Sequence, residues 1–216
     1  MPEGAPERAS EHLDEQAGAT PEDADGRAPA PVTQPPKQWQ GLFRKRHPLV
    51  LLYTGNGKGK TSSALGVTMR AWGRGWSICW LQFIKSTTSH FGESRAAEAM
   101  GIEMIPLGDG FTWLSKDIEK DKALARECWA LAREKIDSGR YDLVVLDEIT
   151  YPVSYGWLDA DEVVTALRER PPDVDLILTG RDASPELVEL ADLVTDMTEV
   201  KHPYQSGIKA QPGIDY

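Results

Sequence analysis

The sequence contains only two cysteines, Cys79 and Cys128, among its 216 residues. Both lie in apolar stretches, which favours two buried free thiols over one disulfide and therefore a reducing compartment. The sequence also lacks an apolar run near the roughly 20 residues that a membrane-spanning helix needs. Its first residues have neither the basic nor the apolar segment of a secretory signal. We therefore expect a cytoplasmic protein without a membrane span.

Basic residues are also in the minority, with 24 Lys and Arg against 34 Asp and Glu and a formal net charge of -10. Residues 1–36 contain eight acidic residues and two arginines, so that this segment alone carries -6 of the charge. Neither this segment nor the remainder is basic enough to neutralise the phosphates of a nucleic acid. We expect no nucleic-acid partner.

The chain divides into three segments by composition. Residues 1–36 hold seven of the fifteen prolines, and this acidic, Pro/Ala-rich extension is predicted to be disordered because it cannot bury enough apolar surface. Residues 37–47 place Trp39, Leu42 and Phe43 beside basic residues, which is compatible with an amphipathic lid segment or with a basic linker. Residues 48–216 are long enough for one domain with a sizeable core.

From residue 48 onward, short apolar runs alternate with helical patterns. Strands are predicted at about residues 49–53, 76–84, 102–106, 143–146, 174–179 and 193–200. Helices are predicted at about residues 60–72, 93–100, 116–138, 159–169 and 184–190. This alternation predicts an α/β fold, P-loop NTPase-like (RecA-like), whose mostly parallel sheet carries helices on both faces.

A glycine-rich loop joins the first predicted strand to the first predicted helix. Residues 54–61, which we call the phosphate loop, read Thr-Gly-Asn-Gly-Lys-Gly-Lys-Thr. Glycines let backbone N–H groups turn toward an anion, and the helix N-terminus adds positive partial charge. In this pattern Lys60 reaches phosphate oxygens and Thr61 can ligate Mg²⁺. The usual first glycine is replaced by Thr54, with Gly55 one position later, so the loop is a variant of G-x-x-x-x-G-K-[ST].

An acidic pair follows the fourth predicted strand. Asp147 and Glu148 end an apolar run, which resembles a Walker B segment whose carboxylate helps to hold Mg²⁺. Because the phosphate loop belongs to the same predicted sheet, the two motifs together predict a nucleotide site.

Further segments indicate a family. In chain order they are the phosphate loop, Gln-Phe-Ile-Lys at 82–85, Gly-Phe-Thr-Trp at 110–113, Val-Leu-Asp-Glu at 145–148 and the last seventeen residues, which include Lys-Ala-Gln-Pro-Gly-Ile-Asp-Tyr at 209–216. From about residue 38 to residue 216 the set resembles the P-loop type of ATP:cob(I)alamin, or cob(I)yrinic acid a,c-diamide, adenosyltransferases. The resemblance implies that Co(I) of a corrinoid attacks the 5′ carbon of ATP and expels triphosphate.

The resemblance also assigns a role to two aromatic residues. In the family an aromatic pair displaces the lower axial ligand of cobalt, which eases its reduction because removing a donor raises the reduction potential. Phe111 and Trp113 stand at the matching positions. Taken without the family, the same residues are compatible with anchors that hold a flexible loop against the core.

The resemblance implies a reversed nucleotide, with the γ-phosphate where the α-phosphate usually lies. The implied phosphate contacts are Gly55, Asn56, Gly57, Lys58, Gly59, Lys60, Thr61 and Ser62. Thr61, Asp147 and Glu148 would hold Mg²⁺ (or Mn²⁺), and Lys60 would stabilise the departing triphosphate.

Two further cations are predicted at the same edge of the sheet. Lys85 follows the second predicted strand and could contact phosphate or substrate. Arg181 follows the fifth, where it could meet phosphate or a corrin amide, or instead form a helix-capping ion pair with Asp182 or Glu186. The family usually continues Gly-Arg-Gly-Cys, whereas this chain continues with Asp182 and Ala183.

Two other functions are compatible with parts of the pattern. An ordinary P-loop ATPase or phosphotransferase would transfer the γ-phosphate, but it usually has the standard loop spacing. The other is a non-catalytic corrinoid carrier or a nucleotide-sensing regulatory protein; a carrier of the His-on type would need a D-x-H-x-x-G segment, which the sequence lacks. The family resemblance further implies a flavoprotein reductant and a homodimer.

Overall fold

A computed structural model describes residues 47–86, 91–108 and 118–215. The predicted extension at 1–36, residues 37–46 of the possible lid and the aromatic residues Phe111 and Trp113 lie outside these ranges. In the part of the chain that the structure describes, no helix has the length and apolar character needed to cross a membrane.

The described residues form one six-stranded sheet in the order β3-β2-β4-β5-β1-β6. The strands are β1 Val50–Thr54, β2 Ile78–Ser86, β3 Glu103–Gly108, β4 Leu143–Asp147, β5 Asp175–Thr179 and β6 Leu193–Asp196. Every pairing between neighbouring strands is parallel. β4 and β5 are buried along their whole length, as expected of central strands with helices on both faces.

Six helices accompany the sheet in the described ranges. They are α1 Lys60–Trp72, α2 Gly92–Met100, α3 Ile118–Asp137, α4 Thr150–Ser154, α5 Ala160–Arg168 and α6 Pro185–Leu190. Asp159 and Ser184 accept backbone N–H bonds at the start of α5 and α6, so local side chains fix where these helices begin.

The helices lie on both faces of the sheet, which confirms the predicted α/β class. Alternate strand residues point to opposite faces, and the buried side chains accordingly form two clusters. One cluster packs Leu81 and Leu146 against α3, α5 and α6, while the other packs Trp80 and Val145 against α1 and α2.

Several boundaries differ from the sequence prediction. β2 runs to Ser86, so Lys85 belongs to the strand rather than following it. β6 ends at Asp196 instead of near residue 200 because the chain then turns toward the phosphate loop, where Met197 makes backbone hydrogen bonds. The short helix α4 and a 3₁₀ turn at Pro203–Ser206 were not predicted; each spans too few residues to show a periodic pattern.

The strand order brings three strand ends together at the carboxyl edge of the sheet. β4, β5 and β1 are adjacent, with Leu146 paired to Leu178 and Tyr53 paired to Thr179. The phosphate loop follows β1 and the acidic pair follows β4, while Thr179 ends the strand between them. Ligands of open parallel sheets bind at this edge, and the candidate site lies here.

Candidate active site

The phosphate loop has a backbone that requires glycine at two positions. Gly55 has φ +96° and Gly59 has φ +113°, which side-chain-bearing residues rarely adopt. Gly55 is also crowded, since a Cβ there would lie 2.1 Å from Oδ1 of Asp196. Gly55 therefore allows the end of β6 and the residue that follows it to lie close to the phosphate loop.

Lys60 is folded into the phosphate loop. Its Nζ donates hydrogen bonds of 2.8 Å to the backbone carbonyls of Gly55 and Gly57, and the residue is 8% exposed. Burial lowers the pKa of Lys60 from its ordinary value; the carboxylate of Glu148 opposes this shift and the cation of Arg181 adds to it. Because its two hydrogen-bond acceptors are neutral carbonyls, the buried ammonium of Lys60 is suited to donate to phosphate oxygens in their place.

Asp147 lies at the centre of a network of polar side chains. It is fully buried, and its Oδ1 accepts hydrogen bonds from the hydroxyls of Thr61 at 3.0 Å and Thr179 at 2.7 Å. Nε2 of Gln82 lies 3.5 Å from Oδ2. The network thus links the first turn of α1 and the middle of β2 to the ends of β4 and β5.

Glu148 adopts a left-handed backbone conformation with φ 65°, which is uncommon for a residue other than glycine. Its N–H donates to the Thr179 hydroxyl at 2.9 Å. A Cβ on Gly180 would lie 3.2 Å from Oε2 of Glu148 and 2.0 Å from the hydroxyl of Thr150, so glycine is needed there. Strained backbone of this kind concentrates at functional sites.

The sequence model of the family described as ATP:corrinoid adenosyltransferase BtuR/CobO/CobP matches residues 46–216, a range that holds the whole of this constellation. The chain belongs to the ATP:corrinoid adenosyltransferase family.

Individual relatives agree with this assignment. The corrinoid adenosyltransferase of Escherichia coli (strain K12) is 44% identical over 168 residues, which cover 78% of this chain and 85% of that protein. The corrinoid adenosyltransferase CobA of Salmonella typhimurium is 40% identical over 168 residues, with the same coverage of 78% and 85%. An ordinary ATPase or phosphotransferase is therefore not favoured.

Among solved structures, the flagellar accessory protein FlaH from Methanocaldococcus jannaschii is similar over 69% of this chain and 71% of that chain. Its sequence identity is 10% and the TM-score is 0.45. A likeness of this degree adds nothing to the family assignment.

Within this adenosyltransferase, Arg181 lies just beyond β5 with an exposed side chain. Its carbonyl accepts a hydrogen bond of 2.6 Å from Thr150, and its charge acts on Lys60. The cap of α6 is the side chain of Ser184. The structure thus places Arg181 at the carboxyl edge, near Lys60, and its phosphate contact and its ion pair with Asp182 or Glu186 both stay predictions.

The remaining predicted site residues fall into two groups. Asn56, Lys58 and Ser62 are exposed, on the outer side of the loop or on the first turn of α1. Lys85 lies in β2, and its side chain is outside the described part of the structure, as are Phe111 and Trp113. The roles assigned to all of these residues stay predictions.

Sequence reasoning assigned no contact to four residues of the site, although Gln82 and Asp215 lie in segments that carry the family resemblance. Thr179 and Gln82 bond to Asp147, Met197 packs on the phosphate loop, and Asp215 contacts Lys58. A signal existed for Thr179, which is a polar residue at the end of a buried strand. No pattern near the others in the sequence indicates which loop they contact.

Proposed function

We propose that the phosphate loop of this adenosyltransferase holds the triphosphate of ATP, so that the 5′ carbon faces the cobalt of a bound corrinoid. The observation that carries the proposal is the buried Lys60, whose ammonium donates to two carbonyls of the loop. Beside it, the hydroxyl of Thr61 donates to the carboxylate of Asp147. Each of these groups lies at the carboxyl edge of the sheet, where one ligand can meet them all.

The proposed reaction balances without a further reagent once the corrinoid is reduced. The Co(I) electron pair forms a bond to the 5′ carbon, and the bond from that carbon to the phosphate oxygen breaks. Triphosphate leaves with the electron pair of that bond. The cation of Lys60 stabilises the charge that develops on the leaving group. The reversed nucleotide implied by the family resemblance would present the 5′ carbon outward.

A divalent cation fits the oxygen groups beside the loop. The Thr61 hydroxyl and the Asp147 carboxylate lie 3.0 Å apart, and both are hard oxygen donors of the kind that Mg²⁺ selects. No group of three or more His, Cys, Asp or Glu side chains that could hold a metal occurs among the described residues; the site proposed here combines two carboxylates with one hydroxyl. We propose Thr61, Asp147 and Glu148 as its protein ligands; when bound, Mg²⁺ or Mn²⁺ would supply positive charge beside the phosphates.

The other assignments remain part of the proposal. Phe111 and Trp113 would close the lower face of the corrinoid, while Arg181 and Lys85 would contact phosphate or substrate. A flavoprotein reductant and a homodimer follow from the family resemblance alone. The buried free thiols of Cys79 and Cys128 support a cytoplasmic location.

The first experiment mixes the protein with ATP, Mg²⁺ and chemically reduced cob(I)alamin without oxygen. The visible spectrum is followed for a light-sensitive cobalt–carbon product, and triphosphate is assayed in the same sample. We expect one triphosphate for each adenosylated corrinoid. ADP and phosphate without alkylated cobalt would contradict the proposal and indicate an ordinary nucleotide hydrolase.

A second experiment tests whether Phe111 and Trp113 act in the reduction of cobalt rather than in adenosyl transfer. Phe111→Ala and Trp113→Ala should react normally with cob(I)alamin but slowly when the reaction starts from cob(II)alamin and a reductant, because their role is in reduction. Trp72→Phe is the control, since Trp72 lies at the far end of α1, about 18 Å from the phosphate loop at 1.5 Å per residue. Equal losses from both starting states would contradict the assignment.

A further inference from the structure

The C-terminal tail, residues 197–215, touches the phosphate loop at both of its ends. At its start, Met197 donates its N–H to the carbonyl of Thr54 at 2.9 Å and accepts the N–H of Gly57 at 2.6 Å. At its end, the carboxylate of Asp215 forms an ion pair with Nζ of Lys58, 157 positions away in the sequence. The first and the last described residues of the tail therefore both contact the phosphate loop.

The carboxylate of Asp215 is held in place by its own turn. Its Oδ2 accepts the N–H of Gln211 at 2.8 Å, and the Asp215 N–H donates to the carbonyl of Gln211, also at 2.8 Å. The Asp215 side chain is 16% exposed, against 52% for Lys58. The carboxylate of Asp215 is thus fixed by its own turn and mostly covered, whereas the ammonium of Lys58 that it contacts is more exposed.

Both lysines of the phosphate loop are consequently engaged by oxygen atoms of the chain itself. Lys60 is bound by carbonyls and Lys58 by a carboxylate. A triphosphate in the loop would attract Lys58 and repel the neighbouring Asp215, since like charges a few ångströms apart disfavour each other. Each anion would therefore weaken the interaction of the other with the Lys58 ammonium.

We propose that Asp215 competes with triphosphate for Lys58, so that the tail limits how tightly the loop holds its anion and promotes release of triphosphate after adenosyl transfer. This inference rests on the proposed placement of triphosphate in the loop. Asp215 acts here as a positioning residue, because its effect on triphosphate runs through Lys58.

The test measures binding of inorganic triphosphate to the full chain by calorimetry. Asp215→Asn keeps the shape of the side chain and removes its charge, and it should tighten binding about 1.4- to 5-fold, the range expected from a partly exposed ion pair. Asp215→Glu should restore wild-type affinity. As a product inhibitor of adenosyl transfer, triphosphate should be more potent against Asp215→Asn by the same factor.

Two further variants show whether the effect runs through Lys58. Glu199→Gln removes an equal charge from the same tail, at an exposed residue whose carboxylate accepts from Gln205 at 2.7 Å. This variant should leave triphosphate affinity unchanged. In a Lys58→Met background, Asp215→Asn should lose its effect.

The outcomes distinguish this inference from the proposed function. If triphosphate binds the wild type and Lys60→Met weakens that binding, the loop is the anion site. Unchanged or weaker binding by Asp215→Asn, or an equal gain from Glu199→Gln, would then overturn the competition alone. Failure of triphosphate to bind the wild type would overturn the placement in the loop and the competition together.

Discussion

The hydroxyl of Thr179 donates a hydrogen bond of 2.7 Å to Oδ1 of Asp147, although the two residues end different strands. The same hydroxyl accepts the backbone N–H of Glu148 at 2.9 Å. One side chain on β5 therefore fixes both members of the acidic pair that follows β4.

Thr179→Val tests the importance of this contact. Valine keeps the shape but leaves the buried Asp147 with one donor fewer, so we expect unfolding to require about 1–3 kcal/mol less free energy. Adenosyl transfer should also fall, because Asp147 is no longer oriented toward Thr61. Urea denaturation and the rate at saturating ATP measure the two effects. Thr179→Ser, which keeps the hydroxyl, should lie close to wild type; a fully active Thr179→Val would remove the orienting role.

A pair of glycine variants tests the packing of the tail on the phosphate loop. A Cβ on Gly57 would lie 2.6 Å from the Met197 carbonyl oxygen. Gly57→Ala should therefore distort the backbone of the phosphate loop and weaken ATP binding, because the loop N–H groups no longer point at the phosphates. Gly66 lies in α1 with nothing within 4 Å of its added Cβ, and Gly66→Ala should stabilise the protein by about 0.5–1 kcal/mol. Thermal melts and ATP titrations distinguish the two variants. If Gly57→Ala binds ATP as tightly as the wild type, the close contact between Gly57 and Met197 is not needed for ATP binding.

The pH dependence of stability tests the burial of Lys60. Its pKa is lower in the folded protein than in the unfolded chain, where it is near 10.5. Between the two pKa values the unfolded chain binds more protons, so the Lys60 contribution to stability must rise with pH. As the pH rises in the alkaline range, we expect the unfolding free energy of the wild type to increase relative to that of Lys60→Met. A difference that stays flat from neutral pH to about pH 10 would contradict the lowered pKa.

Cys79 should be chemically inert in the native protein. Its side chain is fully buried, and burial, assisted by the charge of Glu103, raises the pKa of the thiol to about 12. Because the thiolate is the reactive form, alkylation at about pH 8 should leave this cysteine unmodified. Peptide mass spectrometry after brief iodoacetamide treatment measures the modification, with denatured protein as the positive control. Rapid labelling of the native protein would show that β2 opens readily.

Local features were predictable because each is encoded within a short stretch of sequence. The bounds of α1, Lys60–Trp72, coincide with the prediction because a glycine-rich loop precedes the helix and a glycine follows it. The phosphate loop and the acidic pair were recognised from glycine spacing and from an apolar run that ends in carboxylates. By contrast, α4 has five residues including Pro152, too few for helical periodicity to appear.

The sequence by itself determined the α/β class, the parallel sheet and the family, because apolar periodicity and motif spacing are properties of neighbouring residues. Only the tertiary structure decided the strand order, which places β5 between β4 and β1 and so brings Thr179 to Asp147. It also decided that Asp215 meets Lys58. The physical reason is the same in both cases: contacts between distant residues depend on how the whole sheet packs, and no local pattern in the chain encodes them.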